Sequence, residues 1–275
     1  MAPSTAHAQN LRLQGFKATA VDQTVTYEAE VCGQGSTKWA VYYDLTAPPT
    51  PSTTQDGSTN APTTGCGQPP QFSSIVWNNA PIGLYQSYAF VDPDQTTSES
   101  NENDNVAGPI EVCVGPDVVL KTFSIEAIGA SVTYKVQVCN EGSMAARKFR
   151  VGFWHDRKDA PPNNQQGDVF KSLTVLDAGA CEDLVVPGGL RPNGSFIAWA
   201  RADAGDFVLE CRENNNPFGP QPYSLSNPDL YVKSFTAEVN GANVTYKAEV
   251  CNKGTAPVTK FFVDVYYHRT TKIPF

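Results

Sequence analysis

Seven cysteines are the residues best able to do chemistry in this chain of 275 residues. They stand at positions 32, 66, 113, 139, 181, 211 and 251, with no CxxC and no cysteine–histidine cluster of the kind that holds zinc. Cysteines spaced so widely point to disulfides formed in an oxidising compartment; the alternative is a set of buried free thiols. A second group is acidic. Asp92, Asp94, Glu99, Glu102 and Asp104 gather carboxylates at one domain junction, and Asn101, Asn103 and Asn105 add amide oxygens. Hard oxygen donors of this sort suit Ca²⁺, although no glycine or glutamate falls where an EF-hand loop needs one. The other reading is that these side chains cap turn amides. Of the three histidines, His7 lies in the N-terminal tail, while His155 and His268 follow aromatic runs. No GxSxG, HExxH or paired-carboxylate context accompanies them, so no catalytic residue is assigned. Gly33-Gln34-Gly35-Ser36-Thr37-Lys38 has the outline of a phosphate loop, but its repeated counterparts mark it as a turn between strands.

The elements that position these residues recur along the chain. Val25-Thr26-Tyr27-Glu28-Ala29-Glu30-Val31-Cys32 returns as Val132-Thr133-Tyr134-Lys135-Val136-Gln137-Val138-Cys139-Asn140. It returns again as Val244-Thr245-Tyr246-Lys247-Ala248-Glu249-Val250-Cys251-Asn252. The spacing from Cys32 to Cys139, and again from Cys139 to Cys251, is the size of a domain rather than of a solenoid repeat. Apolar and polar residues alternate with period two in each run, as in strands with one face buried. Turn formers precede each run (Asp22-Gln23, Gly129-Ala130, Asn240-Gly241), and an aromatic segment follows it: Trp39–Tyr43, Phe149–Trp154 and Phe261–Tyr267. At a constant offset of 111, Pro81–Asp92 matches Pro192–Asp203, and Asn101–Asn105 matches Arg212–Asn216. No long stretch has helical period. About seven short strands per ~110 residues predicts an antiparallel β-sandwich.

The order of Pro-Asp-hydrophobic strand, VTYxxxVCNxG, aromatic strand and ESNENDN resembles the cell-adhesion-related domain found in bacteria (CARDB). The resemblance implies immunoglobulin-like sandwiches, exported to a prokaryotic cell surface or secreted. The expected organisation is a tail or signal-peptide remnant over 1–9, repeats over 10–112 and 113–224, and a partial third repeat over 225–275. Equivalent strand ends place Cys32 opposite Cys66 and Cys139 opposite Cys181. Cys113 and Cys211 form a third expected pair, and Cys251 is left unpaired.

Composition sets the outer limits. Lysine and arginine number 20 against 28 aspartates and glutamates, a net charge of −8, which disfavours nucleic acid and anionic membranes as partners. No apolar run approaches the ~20 residues of a membrane-spanning helix. The expected role is an exported, non-catalytic structural or adhesion protein that needs no cofactor, with calcium as the candidate ion. Its expected partners are neighbouring copies, other surface proteins or polysaccharide. The alternative is a carbohydrate- or protein-binding accessory region of a secreted hydrolase. The third repeat is expected to contribute three strands and an uncovered apolar face. Either a longer chain or a neighbouring molecule would complete it, the latter giving a filament.

Overall fold

A computed structural model of the protein describes residues 10–63, 71–254 and 256–267. Every regular element among them is a β-strand, and all strand pairs are antiparallel. Among the described residues no helix is long and apolar enough to cross a membrane.

Among its described residues unit one has seven strands: β1 (Arg12–Val21), β2 (Thr24–Cys32), β3 (Ser36–Tyr42), β4 (Gly57–Pro62), β5 (Phe72–Trp77), β6 (Gly83–Val91) and β7 (Val106–Val114). They form two sheets, β1-β2-β5 and β4-β3-β6-β7. Unit two repeats the plan with β8 (Val118–Ile128), β9 (Ser131–Asn140), β10 (Ala146–Trp154), β11 (Val169–Leu176), β12 (Cys181–Leu190), β13 (Gly194–Arg201) and β14 (Pro217–Leu225). Its sheets are β8-β9-β12 and β11-β10-β13-β14. This is the predicted immunoglobulin-like sandwich. One detail differs from the sequence reading: β7 runs to Val114, so the expected boundary after residue 112 falls inside a strand of unit one.

The period-two pattern explains the cores. In β9, Val132, Tyr134, Val136 and Val138 point inward and meet Phe149, Val151 and Phe153 of β10 and Ala198 and Ala200 of β13. In unit one, Val25, Tyr27, Ala29 and Val31 meet Trp39, Val41, Ala89 and Val91. Each large apolar side chain buried this way contributes about 1.5–3 kcal/mol. The first hairpin of each unit turns through a residue with positive φ, namely Asp22 (50°), Gly129 (58°) and Gly241 (61°). Two-residue hairpin turns require that conformation.

Unit three contains β15 (Leu230–Asn240) and β16 (Asn243–Asn252), paired as a two-stranded sheet. The third strand expected over 261–267 does not form. Its counterparts β3 and β10 are bonded on both edges, and no such neighbours exist for this segment among the described residues. The segment still lies across the sheet face: Tyr267 packs on Tyr246 with ring centroids 5.6 Å apart.

Candidate functional site

The disulfides come directly from strand register. Cys181 opens β12 opposite Cys139 near the end of β9, and the two are bonded with Cα atoms 4.0 Å apart. Cys113 is bonded to Cys211 with Cα atoms 5.5 Å apart. Because Cys113 sits in β7 opposite Leu84, this bond ties unit one to unit two rather than closing one sandwich. In the loop-closure picture, a crosslink spanning 98 residues restricts the unfolded chain by roughly 4–5 kcal/mol. The expected Cys32–Cys66 pair falls on residue 66, which lies outside the described residues. Cys251 is a free, half-buried thiol.

The acidic loop of unit one holds its carboxylates on backbone amides and neighbouring side chains. Buried Asp92 accepts hydrogen bonds from the amides of Thr96 (3.1 Å) and Thr97 (2.8 Å). Glu99 Oε2 accepts from the Leu11 amide at 2.5 Å, and Glu99 Oε1 accepts from Asn105 Nδ2 at 3.0 Å. Glu102 accepts from the Glu99 amide at 3.2 Å and from Asn105 Nδ2 at 3.3 Å. Asp104 receives Asn10 Nδ2 at 3.0 Å, and Asp94 points away to Lys38 Nζ at 2.8 Å. All five candidate calcium ligands thus accept from protein donors, with Glu99 and Glu102 sharing Asn105 Nδ2. Among the described residues, one trio of potential metal-binding atoms lies within 4.8 Å of one another: Cys113, Asp117 and Cys211. Its two sulfurs are bonded to each other.

Unit two contains the same clasp at the aligned positions of the repeat. Asp203 accepts from the amides of Phe207 (3.2 Å) and Val208 (2.9 Å). Glu210 Oε1 accepts from the Val118 amide at 2.5 Å, Glu210 Oε2 accepts from Asn216 Nδ2, and Glu213 accepts from the Glu210 amide at 2.9 Å. In both units the glutamate bonds the entrance of the first strand to the loop before the last, closing the sandwich at that end. The environments differ. Glu99 is half-buried, whereas Glu210 is only 4% exposed. Burial pushes the Glu210 carboxyl up to about 8, against the pull of its bonds from Asn216 and Val118; nearby Asp203 and Glu213 add to the rise. Sequence reasoning centred on the asparagine run missed Glu210, although the repeat aligns it with Glu99 and so carries the signal that marks it.

The residues that follow Cys139 and Cys251 form a second device. Asn140 Oδ1 accepts from the amides of Asp117 and Gly142, both at 3.1 Å. Its Nδ2 donates to the carbonyls of Met144 (2.7 Å) and Leu176 (2.9 Å). Asn252 repeats this, accepting from Asp229 (2.8 Å) and Gly254 (2.9 Å) and donating to Ala256 (2.8 Å). The glycine is needed because the incoming linker crosses it. A Cβ on Gly142 would meet the Gly115 carbonyl oxygen at 2.1 Å, and one on Gly254 the Asn227 carbonyl oxygen at 2.3 Å. The motif therefore fastens the Pro-Asp entrance to the strand end. Asp117 is held in turn by Arg212 and Asn215, each at 2.7 Å.

His155 is 6% exposed, and its Nδ1 shares a short hydrogen bond with the Tyr134 hydroxyl. Its amide donates to Asp168 at 2.9 Å. Burial, aided by the nearby Arg191 charge, pushes its pKa below the usual histidine range. Its ring lies 5.7 Å from Tyr134, and Tyr43 and Tyr267 occupy the same place against Tyr27 (5.7 Å) and Tyr246 (5.6 Å). An aromatic ring at this position stacks or packs on the shared tyrosine in all three units. His7 and His268 lie outside the described residues.

No curated protein matches the chain. Within unit two, from the Pro-Asp entrance to the start of the last strand, residues 116–219 match the CARDB family model.

Proposed function

We propose that the chain is an exported, non-catalytic structural and adhesion protein of a prokaryotic cell surface. In this reading all three units are CARDB-type immunoglobulin-like domains, and the third carries the contact with neighbouring copies. The match over unit two supports the adhesion-related class, and that family is non-catalytic. The two disulfides accord with life outside the cytoplasm.

A single observation carries the assembly role. Phe123, Val132 and Tyr134 are 6%, 1% and 0% exposed in unit two, whereas their counterparts Phe235, Val244 and Tyr246 are 52%, 46% and 37% exposed. A two-stranded sheet is marginal alone, and an open edge with an apolar face favours association by strand addition. A contact between unit three and a different surface of the next molecule is heterologous and propagates as a filament. Deleting residues 228–275 tests this by light scattering. The parent should form polymers and the truncated protein a two-unit monomer. A monomeric parent with a protease-sensitive third unit would remove the assembly role.

A further inference from the structure

Two joints connect the three units, and the repeat aligns them residue by residue. Leu84 lies opposite Cys113 in the β6–β7 pair, as Ser195 lies opposite Ser224 in the β13–β14 pair. The offset of 111 carries Glu111 onto Pro222, Cys113 onto Ser224 and Val114 onto Leu225. The entrance motif is displaced by 112, from Pro116-Asp117 to Pro228-Asp229. One residue, Gly115, therefore separates the last strand from proline in the first joint. Two residues, Ser226 and Asn227, do so in the second.

The first joint is fastened to both sheets of unit one. On the four-stranded sheet, β7 supplies Cys113 to the bond with Cys211. The same strand supplies Glu111 to Arg212, which also grips Asp117 at 2.7 Å. On the three-stranded sheet, the β1–β2 turn presents Asp22, whose amide donates to the Ser143 carbonyl at 2.9 Å. The Ser143 hydroxyl donates back to the Asp22 carbonyl at 2.9 Å and accepts from the linker amide of Gly115 at 3.0 Å. A tether at one point leaves rotation free, whereas attachments on both sheets remove it.

The second joint has replaced the groups that β7 supplies, while the residue aligned with Ser143 lies outside the described residues. Ser224 cannot form the crosslink, and Pro222 carries no charge. Asp229 pairs with Lys253 of its own unit at 3.5 Å. Among the described residues, the side-chain hydrogen bonds between unit two and the linker are Asn193 Nδ2 to the Asn227 carbonyl at 3.4 Å and Asn227 Nδ2 to the Arg191 carbonyl at 3.5 Å. Both are at the outer limit of a hydrogen bond.

From this contrast we infer that units one and two move as a single rigid stem and that unit three swings on Ser226-Asn227. The stem is set by the Cys113–Cys211 crosslink together with the Asp22–Ser143 pair. A swinging third unit can meet a partner over a range of orientations, while the stem transmits load without bending at its own joint. The inference holds whether or not unit three mediates assembly.

Spin-label distance distributions on the full chain, diluted into unlabelled protein, provide the test. Labels at Ser58→Cys and Thr174→Cys in a Cys251→Ser background report on the first joint. Labels at Thr174→Cys and native Cys251 report on the second. The first distribution should be single and narrow, and the second roughly twofold or more broader, because domain swinging about a short linker is slow but large in amplitude. Replacing Cys113 and Cys211 by serine should broaden the first towards the second. Ser143→Ala, which keeps the crosslink, should broaden it by less. Equal widths for the two parent pairs, or a broad first distribution with the disulfide intact, would overturn the rigid stem.

Discussion

Units two and three share the run VTYKxxVCN, yet Tyr134 is fully buried and Tyr246 is 37% exposed. The strand pairs agree even in their irregularity. The β8–β9 register shifts between Leu120 and Thr122, and the β15–β16 register shifts between Val232 and Ser234, at the aligned positions of the repeat. Strand, turn and register are thus local properties of a hairpin. Burial is not local: it comes from β10 and β13, which face the hairpin across the sandwich in unit two.

The largest effect that could break this comparison is at the shared tyrosine. Tyr134→Ala should destabilise unit two by about 3–5 kcal/mol, the cost of removing a large buried aromatic. Tyr246→Ala should change unit three by only about 1 kcal/mol, the loss of its ring contacts with Phe235 and Tyr267 on a partly exposed face. Hydrogen exchange read separately on peptides from the two units gives both numbers, because each opens as its own cooperative region. Similar losses in the two units would mean that Tyr246 is covered in solution, and would strengthen the case for a partner on that face.

The asparagine after Cys139 and Cys251 sharpens the contrast. The Asn140 side chain is buried and makes four hydrogen bonds, while that of Asn252 is exposed and makes three among the described residues. Asn140→Ala leaves buried amides and carbonyls without partners and should cost about 2–3 kcal/mol. Asn252→Ala, whose orphaned groups reach water, should cost less than about 1 kcal/mol. Equal costs would show that the entrance fastening, rather than desolvation, sets the energy.

The acid clasp makes the difference depend on pH. Folded Glu210 keeps its proton up to about pH 8, whereas the unfolded chain releases it near 4.5. Between those values the folded state binds more protons. The contribution to stability is therefore complete below 4.5 and is lost as pH rises through 8. Unit two should weaken across that window by an amount on the order of 1–2 kcal/mol, because the two hydrogen bonds to the carboxylate oppose its desolvation. Glu210→Gln should flatten the profile. Its oxygen still accepts from Val118, and its amide can donate to Asn216 Oδ1, a buried acceptor without a partner among the described residues. A profile unchanged by Glu210→Gln would assign the pH dependence to another group.

The sequence made the hairpins legible because period two and the turn residues act within ten or so positions. The strands of units one and two, their pairing as sandwiches and the bonds Cys113–Cys211 and Cys139–Cys181 followed from that period and the repeat. The location of the Cys113–Cys211 bond between units did not, since it depends on β7 continuing through Cys113 rather than ending before it. Glu210 was hidden for a related reason. Its role requires the Val118 amide, far away in sequence, and no local pattern reports such a partner. The missing strand over 261–267 belongs with these cases: Phe-Phe-Val-Asp-Val-Tyr-Tyr has strand character, but a strand needs neighbours to bond to.

The smallest expected effect concerns calcium, and it separates the clasps of units one and two from unit three, whose described residues contain no counterpart. If Asp92, Asp94, Glu99, Glu102 and Asp104 held an ion, chelation would weaken unit one and leave unit three as it was. The five carboxylates instead accept from protein donors, Glu99 and Glu102 sharing Asn105 Nδ2, and Asp94 pairs with Lys38. The melting temperature should therefore be the same with and without a chelator. Glu102→Ala, which removes the acceptor for the Glu99 amide, should cost less than about 1 kcal/mol at an exposed site, and by the same amount in both conditions. A chelator-dependent loss in the parent that disappears in Glu102→Ala would establish an ion in the loop. The clasp would then have a second task in unit one that the charge balance of unit two, with Arg212 and Asn215 in place of Asn101 and Asp104, does not allow.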